Sequence, residues 1–149
     1  MNSPDLTILL VEDNPDDVLL MKWAFSKANL VNPLQVVEDG EQAVAYLSGD
    51  GPYADRSRYP LPVLVLLDLK LPRKSGLEVL HWVRQQPGLK RLRIVVLTSS
   101  NQKADINQAH ELGANSYLVK PGTLDSLIEM LKTVDLYWMI TSEKPDTSV

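Results

Sequence analysis

Leu6-Thr7-Ile8-Leu9-Leu10-Val11-Glu12-Asp13-Asn14-Pro15-Asp16-Asp17 is the stretch whose reading decides the fold. An almost wholly apolar run ends abruptly in acids. A strand covered on both faces has that composition, and parallel sheets are covered on both faces. The residues after it form a helix start. Asn14 is a good N-cap, Pro15 suits the first helical position, and Asp16 and Asp17 suit the positive end of the helix. The pattern therefore predicts a strand over Leu6–Val11 and a helix running to about Ala28.

The same rhythm continues outward. Leu34–Val37, Val63–Leu67, Ile94–Thr98 and Ser116–Val119 read as strands. A second helix is expected over about Glu41–Leu47, after Asp39-Gly40. A third opens on the capping box Ser75-Gly76-Leu77-Glu78 and runs to about Gln86, before Pro87-Gly88. A fourth covers about Lys103–Leu112 and stops at Gly113. The fifth runs from about Thr123 to Met139. Strict alternation implies an α/β fold, a doubly wound five-stranded parallel sheet with helices on both faces. Gly49–Pro62 breaks the rhythm with 14 residues that include Pro52, Tyr53, Tyr59 and Pro60. Connections of that length are uncommon unless functional or mobile.

Composition sets the bounds. A chain of 149 residues, 44% hydrophobic and 23% charged, is expected to form one folded domain. The reading takes 1–149 as a single domain with its core at about 6–138, a polar tail at 141–149 and no fused output domain. With no cysteine, disulfides, thiolate metal sites and cysteine nucleophiles are excluded. A net charge of −4 argues against gripping nucleic acid by bulk charge. No apolar run approaches the roughly 20 residues of a membrane span, and the N-terminus lacks a signal-peptide pattern. A cytoplasmic protein is the expectation.

In sheets of this kind, function sits beyond the carboxyl ends of the strands. There the first strand delivers Glu12-Asp13, the third Asp68, the fourth Thr98-Ser99-Ser100 and the fifth Lys120-Pro121. Clustered carboxylates repel one another, and a hard, oxygen-seeking divalent cation such as Mg²⁺ relieves the repulsion. A carboxylate can attack phosphorus to form an aspartyl-phosphate. The cation, the Lys120 ammonium and the Thr98 hydroxyl would then neutralise the transferred group. Each residue alone has a plainer reading: Asp68 as a turn residue, Glu12-Asp13 as helix-start charges, Thr98 as a strand-end hydroxyl, Lys120 as a surface lysine. The ordered set argues for phosphoryl chemistry.

Glu12-Asp13, Leu66-Leu67-Asp68-Leu69-Lys70-Leu71-Pro72, Thr98-Ser99 and Lys120-Pro121 resemble the signature of the receiver domains of two-component response regulators, over about residues 6–138. The segment Val11–Asp17, Leu71-Pro72-Arg73-Lys74 and the long loop before the third strand are similar to the stand-alone regulators that partner cyanobacterial phytochromes. The resemblance implies a flavodoxin-like (βα)5 fold. It implies that a sensor histidine kinase, phytochrome-type, phosphorylates Asp68. Mg²⁺, or another divalent cation such as Mn²⁺, would be bound by Asp13, Asp68 and the main-chain carbonyl of Lys70, with Glu12 acting through water. Thr98 would close on the phosphoryl group, Lys120 would pair with it, the Lys120-Pro121 bond would be cis, and Tyr117 would turn inward on activation. Glu12 stands where much of the family has aspartate. The expected role is a signalling switch, catalysing only its own phosphorylation and dephosphorylation.

Three rivals stand beside this reading. A haloacid-dehalogenase-type phosphatase would want a second aspartate two residues after the nucleophile, where this chain has Lys70. A flavodoxin-like module holding a nucleotide or flavin would want a Gly-rich phosphate loop, and none of the common spacings is present. A docking-only receiver would not need the full acid, hydroxyl and lysine set. His81 and His110 read as ordinary surface or packing residues, and Trp23 and Trp82 as packing residues. The fourth helix is weakly apolar, mainly at Ile106, Ala109 and Leu112, so it could move at low cost. In the last helix, Leu124, Leu127, Ile128 and Leu131, with Val134 at the margin, form the stripe that covers the sheet. Met130, Val134, Tyr137 and Trp138 form a surplus stripe, a candidate homodimer surface.

Overall fold

The computed structural model describes residues 6–138, with side chains described to residue 133. Five strands, β1 (Ile8–Val11), β2 (Leu34–Val37), β3 (Leu64–Leu67), β4 (Arg93–Thr98) and β5 (Ser116–Val119), alternate with five helices. The helices are α1 (Pro15–Lys27), α2 (Gly40–Ser48), α3 (Gly76–Gln85), α4 (Lys103–Glu111) and α5 (Leu124–Trp138). The strands pair in parallel in the order β2-β1-β3-β4-β5. Winding reverses between β1 and β3, which opens a crevice beyond their carboxyl ends. Register puts Val11 beside Val37 and Leu67, and Leu67 beside Val96, so the residues after them emerge at one edge.

Alternation along each strand splits the core in two. Leu9, Val11, Val65, Leu67, Ile94 and Val96 face α2, α3 and α4, meeting Tyr46, Leu80 and Val83. Ile8, Leu10, Leu64, Leu66, Val95 and Leu97 face α1 and α5, meeting Met21, Phe25, Leu127 and Leu131. Each fully buried aliphatic side chain stabilises the fold by roughly 1.5–3 kcal/mol. Helix starts follow the sequence. Asn14 accepts from the Asp16 and Asp17 amides, Asp39 from that of Gln42, and Ser75 and Glu78 form the reciprocal capping box. Gly113, at φ +100°, follows α4.

Two glycines are required for space. A Cβ on Gly76 would lie 2.2 Å from the Asp68 carbonyl oxygen, and one on Gly40 would lie 1.9 Å from that of Lys74. The first turns of α2 and α3 therefore press directly on the backbone of the β3–α3 connection.

The long connection after α2 is folded. Gly51–Ala54 forms a 3-10 turn, and the Tyr46, Tyr53 and Tyr59 rings pack at centroid distances of 5.0–6.0 Å. The Tyr46 hydroxyl donates to the Pro60 carbonyl, and the Arg56 guanidinium donates to the last carbonyls of α2, those of Tyr46 and Leu47. A second 3-10 turn, Pro87–Leu89, was equally absent from the periodic pattern. Trp23 departs from expectation. It is 61% exposed, because Met21, Ala24, Phe25 and Ala28 define the buried side of α1 and Trp23 lies off it.

Arg84 joins three segments. Its guanidinium donates to the carbonyls of Gly113 (2.7 Å), Leu92 (2.7 Å) and Lys90 (3.0 Å), and to Asn115 Oδ1, which also accepts from the Ile94 amide. Arg84→Ala removes the charged donor that these carbonyls share. It is expected to cost about 2–3 kcal/mol, read as a lower urea midpoint at unchanged slope.

Candidate functional site

The residues that follow β1, β3 and β5, with the last residue of β4, converge. The Glu12 amide donates to the Val37 carbonyl, that of Asp68 to Val11, and that of Lys120 to Thr98, so sheet bonding continues into the site. Asp68 and Glu12 are buried, and Asp13 is exposed at the rim. Carboxylate oxygens of Glu12, Asp13 and Asp68 lie within 4.8 Å of one another.

Asp68 is held from several sides. Its Oδ1 accepts from the Thr98 hydroxyl at 2.7 Å and from the Lys70 amide at 3.1 Å, and its Oδ2 accepts from Lys120 Nζ at 3.0 Å. Lys120 also donates to Glu12 Oε1 at 2.5 Å and to Asp17 Oδ2 at 2.9 Å. Burial works against the Lys120 charge, but the hydrogen bonds to Glu12, Asp17 and Asp68 outweigh it and push its pKa up. Burial also raises the Glu12 pKa, opposed by Lys120 and by the Asn14 amide on Oε2. Both Glu12 oxygens are thus engaged by the protein.

Asp17 was missed at the sequence level. It reads locally as one more acid at a helix start, yet it is a third carboxylate on Lys120. One ammonium therefore faces Glu12, Asp17 and Asp68, with Asp13 beside them. That excess of negative charge, built from oxygen donors alone, fits a hard divalent cation and excludes a soft one.

The expected cis bond at Lys120-Pro121 is corrected: there is no cis peptide bond among the described residues. Trans is the intrinsic preference even before proline, by about 0.5–1 kcal/mol, and the Lys120 ammonium reaches its three acids from it.

The Tyr117 ring is half-buried against the core, and its hydroxyl donates to the Ser100 carbonyl at 2.8 Å. Lys70 Nζ, where a hydrolase would want an acid, lies 3.7 Å from Asp105 Oδ2. His81 and His110 are exposed, and Trp82 is half-buried against the core. Met130 is half-buried against the α1–α5 side of the core. The side chains of Val134, Tyr137 and Trp138 lie outside the described residues.

A parallel sheet wound in this order, with acids, a hydroxyl and an ammonium at its strand ends, defines a phosphoryl-responsive switch domain. The chain belongs to the response regulator receiver domain family, which it matches over residues 8–132. It is 38% identical to the response regulator Rcp1 of Synechocystis over 144 residues, covering 97% of this chain and 96% of Rcp1. Two solved structures are similar across almost the whole chain. The response regulator RPA3017 in red light signalling of R. palustris superposes with a TM-score of 0.87 at 35% identity, covering 95% of this chain and 99% of that one. The phosphorylated cyanobacterial phytochrome response regulator RcpA superposes at 0.84 and 37%, covering 94% and 98%. Phosphorylation on aspartate and binding of a divalent metal are typical of the family, as is interaction with sensor histidine kinases. Among the described residues no helix is long and apolar enough to cross a membrane.

Proposed function

We propose that this receiver accepts a phosphoryl group on Asp68 from a phytochrome-type histidine kinase, and that Asp13, Asp68 and the Lys70 carbonyl hold the Mg²⁺ it requires. The observation that carries this reading is the convergence of Thr98 Oγ1 and Lys120 Nζ on the two oxygens of one buried carboxylate. An Asp68 oxygen forms the bond to phosphorus as the donor's bond to it breaks. Thr98, the Lys70 amide and Lys120 are positioned to move from the carboxylate to the incoming phosphoryl oxygens. The bound cation supplies the remaining charge neutralisation. Glu12, with both oxygens occupied, suits a water-mediated role. Tyr117, bonded to the β4–α4 connection that follows Thr98, is placed to report the change.

The kinase type rests on likeness to RcpA and RPA3017, whose names connect them to phytochrome and red light signalling. Leu19, Leu20 and Trp23 give α1 an exposed apolar face, and Leu20 lines the same small cavity as Glu12, Asp17 and Lys120. A kinase donor docked there would sit beside the acceptor. A homodimer through α5 would use the stripe of Met130, Val134, Tyr137 and Trp138. Tyr137→Ser with Trp138→Ser is expected to halve the sedimentation mass of a dimeric parent; an unchanged mass assigns assembly to another surface.

Incubation with acetyl phosphate and Mg²⁺ is expected to add one phosphate to the intact mass, and a chelator to prevent it. No gain in either case would favour a receiver that acts by docking alone.

A further inference from the structure

We propose that Asp105 is a latch residue. It holds Lys70 across the mouth of the site and ties the first turn of α4 to the occupancy of Asp68. This rests on Asp68 being the phosphate acceptor, and it concerns how that event is timed and transmitted.

Lys70 and Asp105 belong to different flanks of the crevice. Lys70 follows Asp68 by two residues, and its amide bonds to the Asp68 carboxylate. Asp105 sits in the first turn of α4. Its Oδ2 lies 3.7 Å from Lys70 Nζ and also accepts from the Ser100 hydroxyl at 2.6 Å. The Ser100 oxygen accepts from the Gln102 amide, and the Ser100 carbonyl accepts from Tyr117. One carboxylate therefore links the acceptor strand, the start of α4 and the aromatic on β5.

The rest of α4 is weakly held. Its N-cap, Gln102, makes no side-chain capping bond, and Ala109 is its one buried residue. The polar side-chain contacts of its first turn are the Asp105–Ser100 hydrogen bond and this ion pair. Asp105 is 20% exposed and Lys70 69%, so the pair is reachable and partly screened.

The acyl phosphate carries roughly two negative charges where the carboxylate that Lys70 touches through its main chain carried one. Lys70 then has two anionic partners. When it swings to the phosphoryl group it leaves Asp105, and α4 loses a tether. While Asp105 retains it, the phosphoryl group stays open to attacking water. Asp105 thus shortens the life of the phosphorylated state and couples its formation to loosening of α4.

The test is a double-mutant cycle on dephosphorylation. Parent, Asp105→Asn, Lys70→Ala and the double variant are phosphorylated with acetyl phosphate and Mg²⁺, and loss of phosphate is followed by intact mass. Asp105→Asn is expected to lengthen the half-life about two- to fivefold, the range an exposed ion pair supports. The gain should vanish in the Lys70→Ala background and shrink at about 1 M salt. Amides of residues 103–111 are expected to exchange faster in the phosphorylated parent, and in Asp105→Asn before phosphorylation. A half-life unchanged by Asp105→Asn, or lengthened equally with and without Lys70, overturns the latch. A parent that gains no phosphate instead overturns the assignment of Asp68, and the latch falls with it.

Discussion

Asp68→Asn is expected to fold normally and to gain no phosphate from acetyl phosphate and Mg²⁺, a loss on the order of a thousandfold or more in rate. The substitution keeps the shape of the side chain, so the Thr98 hydroxyl and the Lys70 amide can still find an acceptor oxygen. It removes the proposed nucleophile, since a carboxamide oxygen does not form a stable acyl phosphate. It also removes one charge from a crowded set of acids. Lys120 keeps Glu12 and Asp17 as partners, and Glu12 and Asp13 lose a repelling neighbour. The variant should therefore melt no lower than the parent. Intact mass and a thermal melt on the same sample check both halves. A persistent single phosphate would move the acceptor to a neighbouring carboxylate.

Gly76→Ala should do the reverse, harming the fold first and the chemistry through it. The added methyl has nowhere to go: it would meet the Asp68 carbonyl oxygen at 2.2 Å and the Leu69 Cα at 2.7 Å. Both are main-chain atoms, so no side chain can swing aside. Either α3 lifts off the sheet, giving up part of the burial of Val79, Leu80 and Val83, or the β3–α3 connection shifts and takes Asp68 with it. The expected cost is about 3 kcal/mol, or about 10 °C in Tm for a domain of this size. Phosphate uptake per folded molecule should also slow. Gly122→Ala is the control, because a Cβ there meets nothing within 4 Å. If the two variants melt alike, the contact at Gly76 is softer than its distances imply.

The residues announced most of this architecture themselves. β1, β3 and β4 are apolar runs because both their faces are covered, and Asn14, Asp39 and Ser75 cap the helices that their spacing marks. The strand-end acids, hydroxyl and ammonium were legible because the winding rule sends all carboxyl ends to one edge. What stayed hidden depends on distant partners. Asp17 looks like any acid in a first helical turn, and only the fold brings Lys120, 103 positions away, against it. Arg84 looks like a surface cation on α3, yet it ends up between the carbonyls of the connection that follows α3 and that of Gly113, 29 positions away. Trp23 read as a packing residue because it is large and apolar, although its place on α1 turns it outward. The tyrosines of the long connection gave no periodic signal, because they pack on one another and on α2 rather than along a strand or helix.

The glycines at the starts of α2 and α3 give the domain a direction. Gly40 and Gly76 leave no gap between those helices and the backbone of the β3–α3 connection. Interiors packed that closely transmit displacement rather than absorb it. Farther along the same face of the sheet, α4 buries one residue and its N-cap lacks a side-chain bond. An event at Asp68 therefore meets a wall on one flank and a yielding surface on the other. If Asp68 is the acceptor, the domain is expected to work as a mechanical rectifier, with strain from the site steered toward α4 while the α2–α3 flank stays a fixed frame.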